Sequence, residues 1–182
     1  MKNQVSDFTV NNYIVFTFIG RDQPGLVEKL STTVADHGGN WLESRMSQLA
    51  GQFAGVVRVA VASAAHLTLI EALKALESEG LTIVCQSSDS DNMATGRNVF
   101  LHIIGNDRPG IVREVSRALA RQQINVVDMH TELTSAPMTA DPLFEASAEV
   151  QAPDPFDRDA LEESLDEIAE QLGVEIDLKL AE

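Results

Sequence analysis

The chain has 182 residues, 44% of them apolar, and a formal net charge of −15 from 13 Lys and Arg against 28 Asp and Glu. That balance argues against direct nucleic-acid binding, which needs a basic surface, and no apolar run approaches the length of a membrane span. The single cysteine, Cys85, excludes an intrachain disulfide, and the N-terminus MKNQVSD lacks the apolar stretch of a signal peptide, so a cytoplasmic protein is expected.

Residues 13–19 (YIVFTFI) are β-branched and aromatic and predict a buried strand. A helix follows, with Pro24 suited to its first turn and Asp22 placed to cap its free N–H groups. Leu26, Val27, Leu30 and Val34 form its apolar stripe, and Gly38-Gly39 ends it. Residues 41–49 and 53–62 predict a hairpin turned around Ala50-Gly51-Gln52. A second helix spans residues 66–79, with Leu69, Ile70, Leu73 and Leu76 inward, and residues 81–86 form a last strand. Residues 87–97 (SSDSDNMATGR) are polar and aperiodic and predict a linker.

The order then repeats. Residues 98–104 predict a strand, and Ile111, Val112, Val115 and Leu119 match the first helical stripe. Residues 125–134 and 143–150 predict paired strands. A helix follows with Leu161, Leu165, Ile168 and Leu172 inward, and residues 174–180 (VEIDLKL) alternate strictly as a closing strand. The expected class is α+β: two tandem ferredoxin-like β-α-β-β-α-β domains with antiparallel sheets, at residues 1–87 and 98–182, joined by a linker at 88–97. The strand face bearing Ile14, Phe16, Phe18, Val99, Leu101 and Ile103 should meet the helices. The opposite face, with Tyr13, Val15, Ile19, Phe100 and Ile104, is too apolar to stay fully wet and should pack on another sheet.

The repeat is literal at one point. GRDQPGLVEKLS at 20–31 and GNDRPGIVREVS at 105–116 share six of twelve positions at an offset of 85 residues, and Asn40 and Asn125 keep that offset. Phe53 and Phe144 look equivalent but lie 91 apart, so the second hairpin has a longer loop across residues 135–142. A tolerated surface insertion and a partner-binding loop are the two readings of that loop. In the repeated turn Gly25 and Gly110 let a ligand approach the backbone. The helix start behind them offers N–H groups and partial positive charge to a carboxylate or other small anion. Asp22 and Asp107 would bind an ammonium group or cap the helix. Gly25→Val and Gly110→Val are expected to fill the approach and block ligand binding while leaving the fold largely intact.

These residues carry a resemblance. The element order, the Asp-x-Pro-Gly-hydrophobic-Val turn and the GNWL and INVV segments entering the second strand resemble ACT domains, regulatory modules that bind amino acids. The tandem pair, and the segment GGNWLESRMSQLAGQFAG in particular, is similar to the glycine cleavage system transcriptional repressor family. The resemblance implies ligands where the first turn of one domain meets the start of strand 2 of its neighbour. That points to Asp22, Gln23, Pro24, Gly25, Leu26 and Val27 with Asn40, and to Asp107, Arg108, Pro109, Gly110, Ile111 and Val112 with Asn125. Many ACT turns carry a basic residue before the proline; Arg108 keeps it and Gln23 does not. It also implies a small amino acid as effector, glycine first, a homo-oligomer, and action through a DNA-binding activator protein, with no cofactor. The alternative is a detached regulatory subunit of an amino-acid biosynthetic enzyme.

An enzyme is not expected. No G-x-S-x-G, P-loop or H-E-x-x-H motif is present, and His37, His66, His102 and His130 lack metal-ligand spacing. Arg108, Arg113, Arg117 and Arg121 fall at helical spacing, most simply a solvated face.

Overall fold

The computed structural model describes residues 11–88, 96–135 and 141–180. The chain divides into two compact units, Met1–Asn92 and Met93–Glu182. In the first, β1 (Asn11–Arg21) leads to α1 (Leu26–Asp36), the hairpin β2 (Asn40–Leu49) and β3 (Gln52–Ala62), α2 (His66–Ala75) with a 3-10 turn at Leu76–Glu79, and β4 (Leu81–Ser88). In the second, β5 (Arg97–Asn106) leads to α3 (Ile111–Arg121), β6 (Asn125–Ser135), β7 (Pro142–Ala152), α4 (Arg158–Leu172) and β8 (Val174–Leu180). The four-stranded sheets are antiparallel throughout, with the order β2-β3-β1-β4 in one and β6-β7-β5-β8 in the other. Each unit is therefore a ferredoxin-like α+β fold. Of the expected linker, Ser88 ends β4 and Arg97 opens β5, while residues 89–95 lie outside the described residues.

The period-2 pattern decides which sheet face is covered. Ile14, Phe16 and Phe18 are buried with Val57, Val59, Val61, Leu81 and Ile83 beneath α1 and α2, and Val99, Leu101 and Ile103 are their counterparts in the second unit. Phe16 meets Trp41 edge-on at 6.2 Å and Phe18 packs on Phe53 at 5.7 Å, which locks β2 and β3 to this core. The helical stripes are narrower than the sequence suggests. Leu26, Leu30 and Val34 are buried, as are Ile111, Val115 and Leu119, but Val27 and Val112 are exposed. Each follows its buried neighbour by one residue, about 100° around the helix, and so falls off the core-facing side.

The first hairpin turns at Ala50-Gly51, both with positive φ, and Gln52 already belongs to β3. Phe53 pairs with Gly20, and Phe144 with Gly105, so the two phenylalanines are true counterparts. The extra length thus sits in the β6–β7 turn, where Ser135 pairs with Pro142 and residues 136–140 lie outside the described residues.

Candidate functional site

Each repeated turn leaves the central region of its sheet and enters a helix. Gly25 is the N-cap of α1 with φ 92°, and Gly110 the N-cap of α3 with φ 108°, a left-handed conformation that side chains resist. The expected capping by Asp22 does not occur: neither helix start receives a side-chain hydrogen bond. The reason is distance along the chain. Asp22 lies three residues before the cap, and Pro24 lies in the turn rather than in the helix. Instead the Asp22 N–H donates to the Gly51 carbonyl (2.9 Å), and the Asp107 N–H to that of Pro142 (3.0 Å). The turn is thereby tied to the adjoining hairpin, and the Asp22 and Asp107 side chains are exposed. By contrast α4 is capped in the ordinary way, with Asp157 Oδ1 accepting from the Ala160 N–H at 3.0 Å.

Left-handed glycines also correct one expectation. Nothing but Glu28 Oε2, at 4.0 Å, approaches a Cβ built on Gly25, so space is open, but valine there would be strained by its backbone alone. Gly25→Val cannot leave the fold untouched.

Two hollows flank the first turn. One of ≈ 540 Å³ opens between the start of α1 and the 3-10 turn after α2, lined by Gln23, Gly25, Lys29, Thr32, Leu76 and Glu79 among others, with Lys29 and Glu79 ion-paired. The other, ≈ 350 Å³, lies against Asp22, Gln23, Gly25, Leu26, Val27 and Phe53. Exposed Val27 thus lines a hollow at the turn rather than the core. In the second unit Arg108 reaches the Gln171 carbonyl (3.5 Å), at the negative end of α4. The basic residue that separates the two turns is therefore engaged with a helix terminus.

The structure brings Asp22 to Val27 together, and Asp107 to Val112, but not the asparagines. Asn40 pairs with Ala60, which pairs with Tyr13, while the turn follows Gly20; seven strand residues, about 24 Å, separate the two ends. Asn125 pairs with Gln151, which pairs with Asn98, at the same remove from Gly105. Within one unit neither asparagine can share a ligand with its own turn. Lys29, Thr32, Leu76 and Glu79 were not legible as site residues, because their approach depends on how α1 packs on α2. Phe53 carried a signal, its recurrence as Phe144.

Elsewhere, His102 Nε2 lies 3.0 Å from Glu145 Oε1 on the sheet surface. Among the described residues no helix is long and apolar enough to cross a membrane.

The ACT-domain family model matches residues 12–86 and again 98–179. The chain belongs to the ACT-domain family. The two ACT units account for most of its length, and it is a regulatory protein of that class. A crystal structure of an unknown protein from Galdieria sulphuraria is 28% identical, with 94% of this chain and 99% of that one covered and a TM-score of 0.85. A candidate glycine cleavage system transcriptional repressor superposes over 95% of this chain and 99% of its own at a TM-score of 0.71; at 16% identity that likeness is one of fold. A UPF0237 protein of Methanosarcina mazei is 30% identical over 82 residues, 45% of this chain and 84% of its own length. Its match is about one ACT unit long.

Proposed function

We propose that this ACT protein senses a small amino acid, glycine first, and represses transcription of glycine cleavage genes by binding a DNA-binding activator protein. The observation that carries the reading is the duplicated helix start: left-handed Gly25 and Gly110 each precede a helix with no side-chain cap. A carboxylate can satisfy those first-turn N–H groups, and the partial positive charge there favours it. The residues proposed to hold it are those of the two turns, Asp22 to Val27 and Asp107 to Val112. Asn40 and Asn125 stand at the far end of each sheet. The homo-oligomer proposed here would bring the turn of one domain to the start of strand 2 of another, as the ACT resemblance implies.

The regulatory part rests on the ACT family and on the likeness in fold to a candidate repressor of glycine cleavage. The −15 charge fits a regulator that leaves DNA contacts to another protein. The reading takes it to be a non-catalytic protein of the cytoplasm. Thermal unfolding with each of the twenty amino acids tests the sensing step. A ligand that binds only the folded chain raises Tm by mass action, about 2.7 kcal/mol at a hundredfold excess over Kd. Glycine or another small amino acid is expected to raise it, and no response to any of them overturns the reading. Affinity capture from native cytosol then separates an activator from a biosynthetic enzyme as the partner.

A further inference from the structure

The two units differ where the start of the first helix faces the end of the second. In the first unit a hollow of ≈ 540 Å³ lies there, with Lys29 of α1 ion-paired to Glu79 of the 3-10 turn in its lining. Gly80 and Gly173 hold the same place in the two folds. Each precedes the strand residue that pairs with the first glycine of its turn, Leu81 with Gly20 and Val174 with Gly105. A Cβ built on Gly80 meets nothing within 4 Å, whereas one on Gly173 lies 3.4 Å from Arg108 Nη2. Arg108 Nη1 also reaches the Gln171 carbonyl at 3.5 Å. The arginine therefore spans from its turn to the end of α4, while Gln23, at the same position of the first turn, leaves that point open. The ion pair is not repeated either. Glu114, paired with Arg113, stands in the place of Lys29, and buried Leu172 in that of Glu79.

We propose that the first unit binds one zwitterionic α-amino acid in this hollow by exchange into the Lys29–Glu79 pair, and that the second unit, closed by Arg108, binds none. The ligand carboxylate replaces that of Glu79 as the partner of Lys29, beside the uncapped start of α1. The ligand ammonium replaces Lys29 as the partner of Glu79. Every charge thus keeps a counter-charge through charge-assisted hydrogen bonds. The Lys29 and Glu79 side chains are 39% and 48% exposed, and a pair so exposed contributes little, so parting it costs little. A ligand with a single charge cannot make the exchange. It leaves Lys29 or Glu79 unmatched, and a lone carboxylate also faces Glu28. The volume suits a small-molecule site and leaves room for a side chain beside Leu76. Such a site rests on the amino-acid-sensing reading and narrows it from two turns to one. Both helix starts are uncapped, but only the first has the two counter-charges.

Calorimetry on the full chain tests it, with glycine and each of the other common amino acids as titrant. One ligand per chain is expected. Lys29→Gln and Glu79→Gln should each raise Kd about tenfold or more, the worth of one hydrogen bond to a charged group. Gln23→Arg should abolish binding by copying the closure seen in the second unit. Acetate and methylamine, which carry one charge each, should bind the unmodified chain at least about a hundredfold more weakly than the amino acid. Circular dichroism checks that the variants fold, and should one fail, acetate and methylamine on the unmodified chain still decide. Two ligands per chain, a Kd unchanged by Lys29→Gln, by Glu79→Gln or by Gln23→Arg, or equal binding of acetate or methylamine overturns this site and leaves amino-acid sensing standing. Binding of no amino acid overturns both.

Discussion

A Cβ added to Gly105 would lie 2.8 Å from the Val174 Cα and 2.7 Å from its Cγ1, while one on Gly20 meets the tip of Leu81, Cδ2, at 2.7 Å. The first contact involves backbone of the paired strand β8 and cannot relax by rotation; the second can. Gly105→Ala is therefore expected to cost about 1–3 kcal/mol in urea unfolding, and Gly20→Ala less. Gly25 is a glycine for another reason, its φ of 92°. Gly25→Ala should lose about 1–2 kcal/mol with no clash at all, and Gly25→Asn less, because asparagine tolerates the left-handed region. Equal losses for alanine and asparagine would move the cause from backbone to packing. The repeated glycines were legible in the sequence; their separate causes were not, since one depends on the strand beside it and the other on a dihedral angle. Cys85 is a third residue with a definite expectation. Burial raises its thiol above the ordinary value, Glu77 adding and Lys74 opposing. It should alkylate more slowly in the folded chain than in urea at the same mildly alkaline pH. Its contribution to stability should fade as pH rises through 9, because the unfolded thiol ionises first.

At the scale of elements, helix starts of two kinds stand in one chain. α4 has a side-chain cap from Asp157, whereas α1 and α3 start on glycine without one. Asp157→Ala should cost about 1 kcal/mol, while Asp22→Ala and Asp107→Ala should each stay within about 0.5 kcal/mol, as for exposed surface changes. Chemical denaturation of the three variants checks this, and a large loss at Asp22 would restore the capping role that the sequence suggests. The misreading has a physical source. Aspartate before an apolar stripe is the usual mark of a helix start, but here the chain spends Gln23, Pro24 and Gly25 on a turn before the helix begins. The strands were easier to read, because Ile14, Phe16 and Phe18 alternate with residues of the other face and leave little choice of side. The ferredoxin-like class with antiparallel sheets was legible in the β-α-β-β-α-β sequence of elements. Val27 and Val112 misled because a stripe read from spacing alone does not say where it ends. The hollow beside Lys29 and Glu79 was beyond sequence reading, since α1 and the turn after α2 meet only in three dimensions.

For the whole molecule, charge decides what the chain can do by itself. With 28 acidic against 13 basic side chains it repels phosphate at long range. The basic cluster does not offset this, and it is not a single helical face, because Arg108 lies in the turn before α3. Arg113 is paired with Glu114 at 2.9 Å, Arg117 lies 3.8 Å from the same carboxylate, and Arg108 turns to the end of α4. Fluorescence anisotropy with glycine cleavage promoter DNA at physiological salt should therefore show no binding by the purified protein. Adding the proposed DNA-binding partner should give binding, and the proposed amino-acid effector should change its midpoint, because an effector shifts an equilibrium only by its differential affinity for the two states. That shift should persist as salt is varied, while DNA affinity itself falls steeply through counterion release. Tight, sequence-selective binding by this chain alone would overturn regulation through a partner and leave the ACT fold as it stands. A midpoint indifferent to every amino acid would separate the regulator from the sensor.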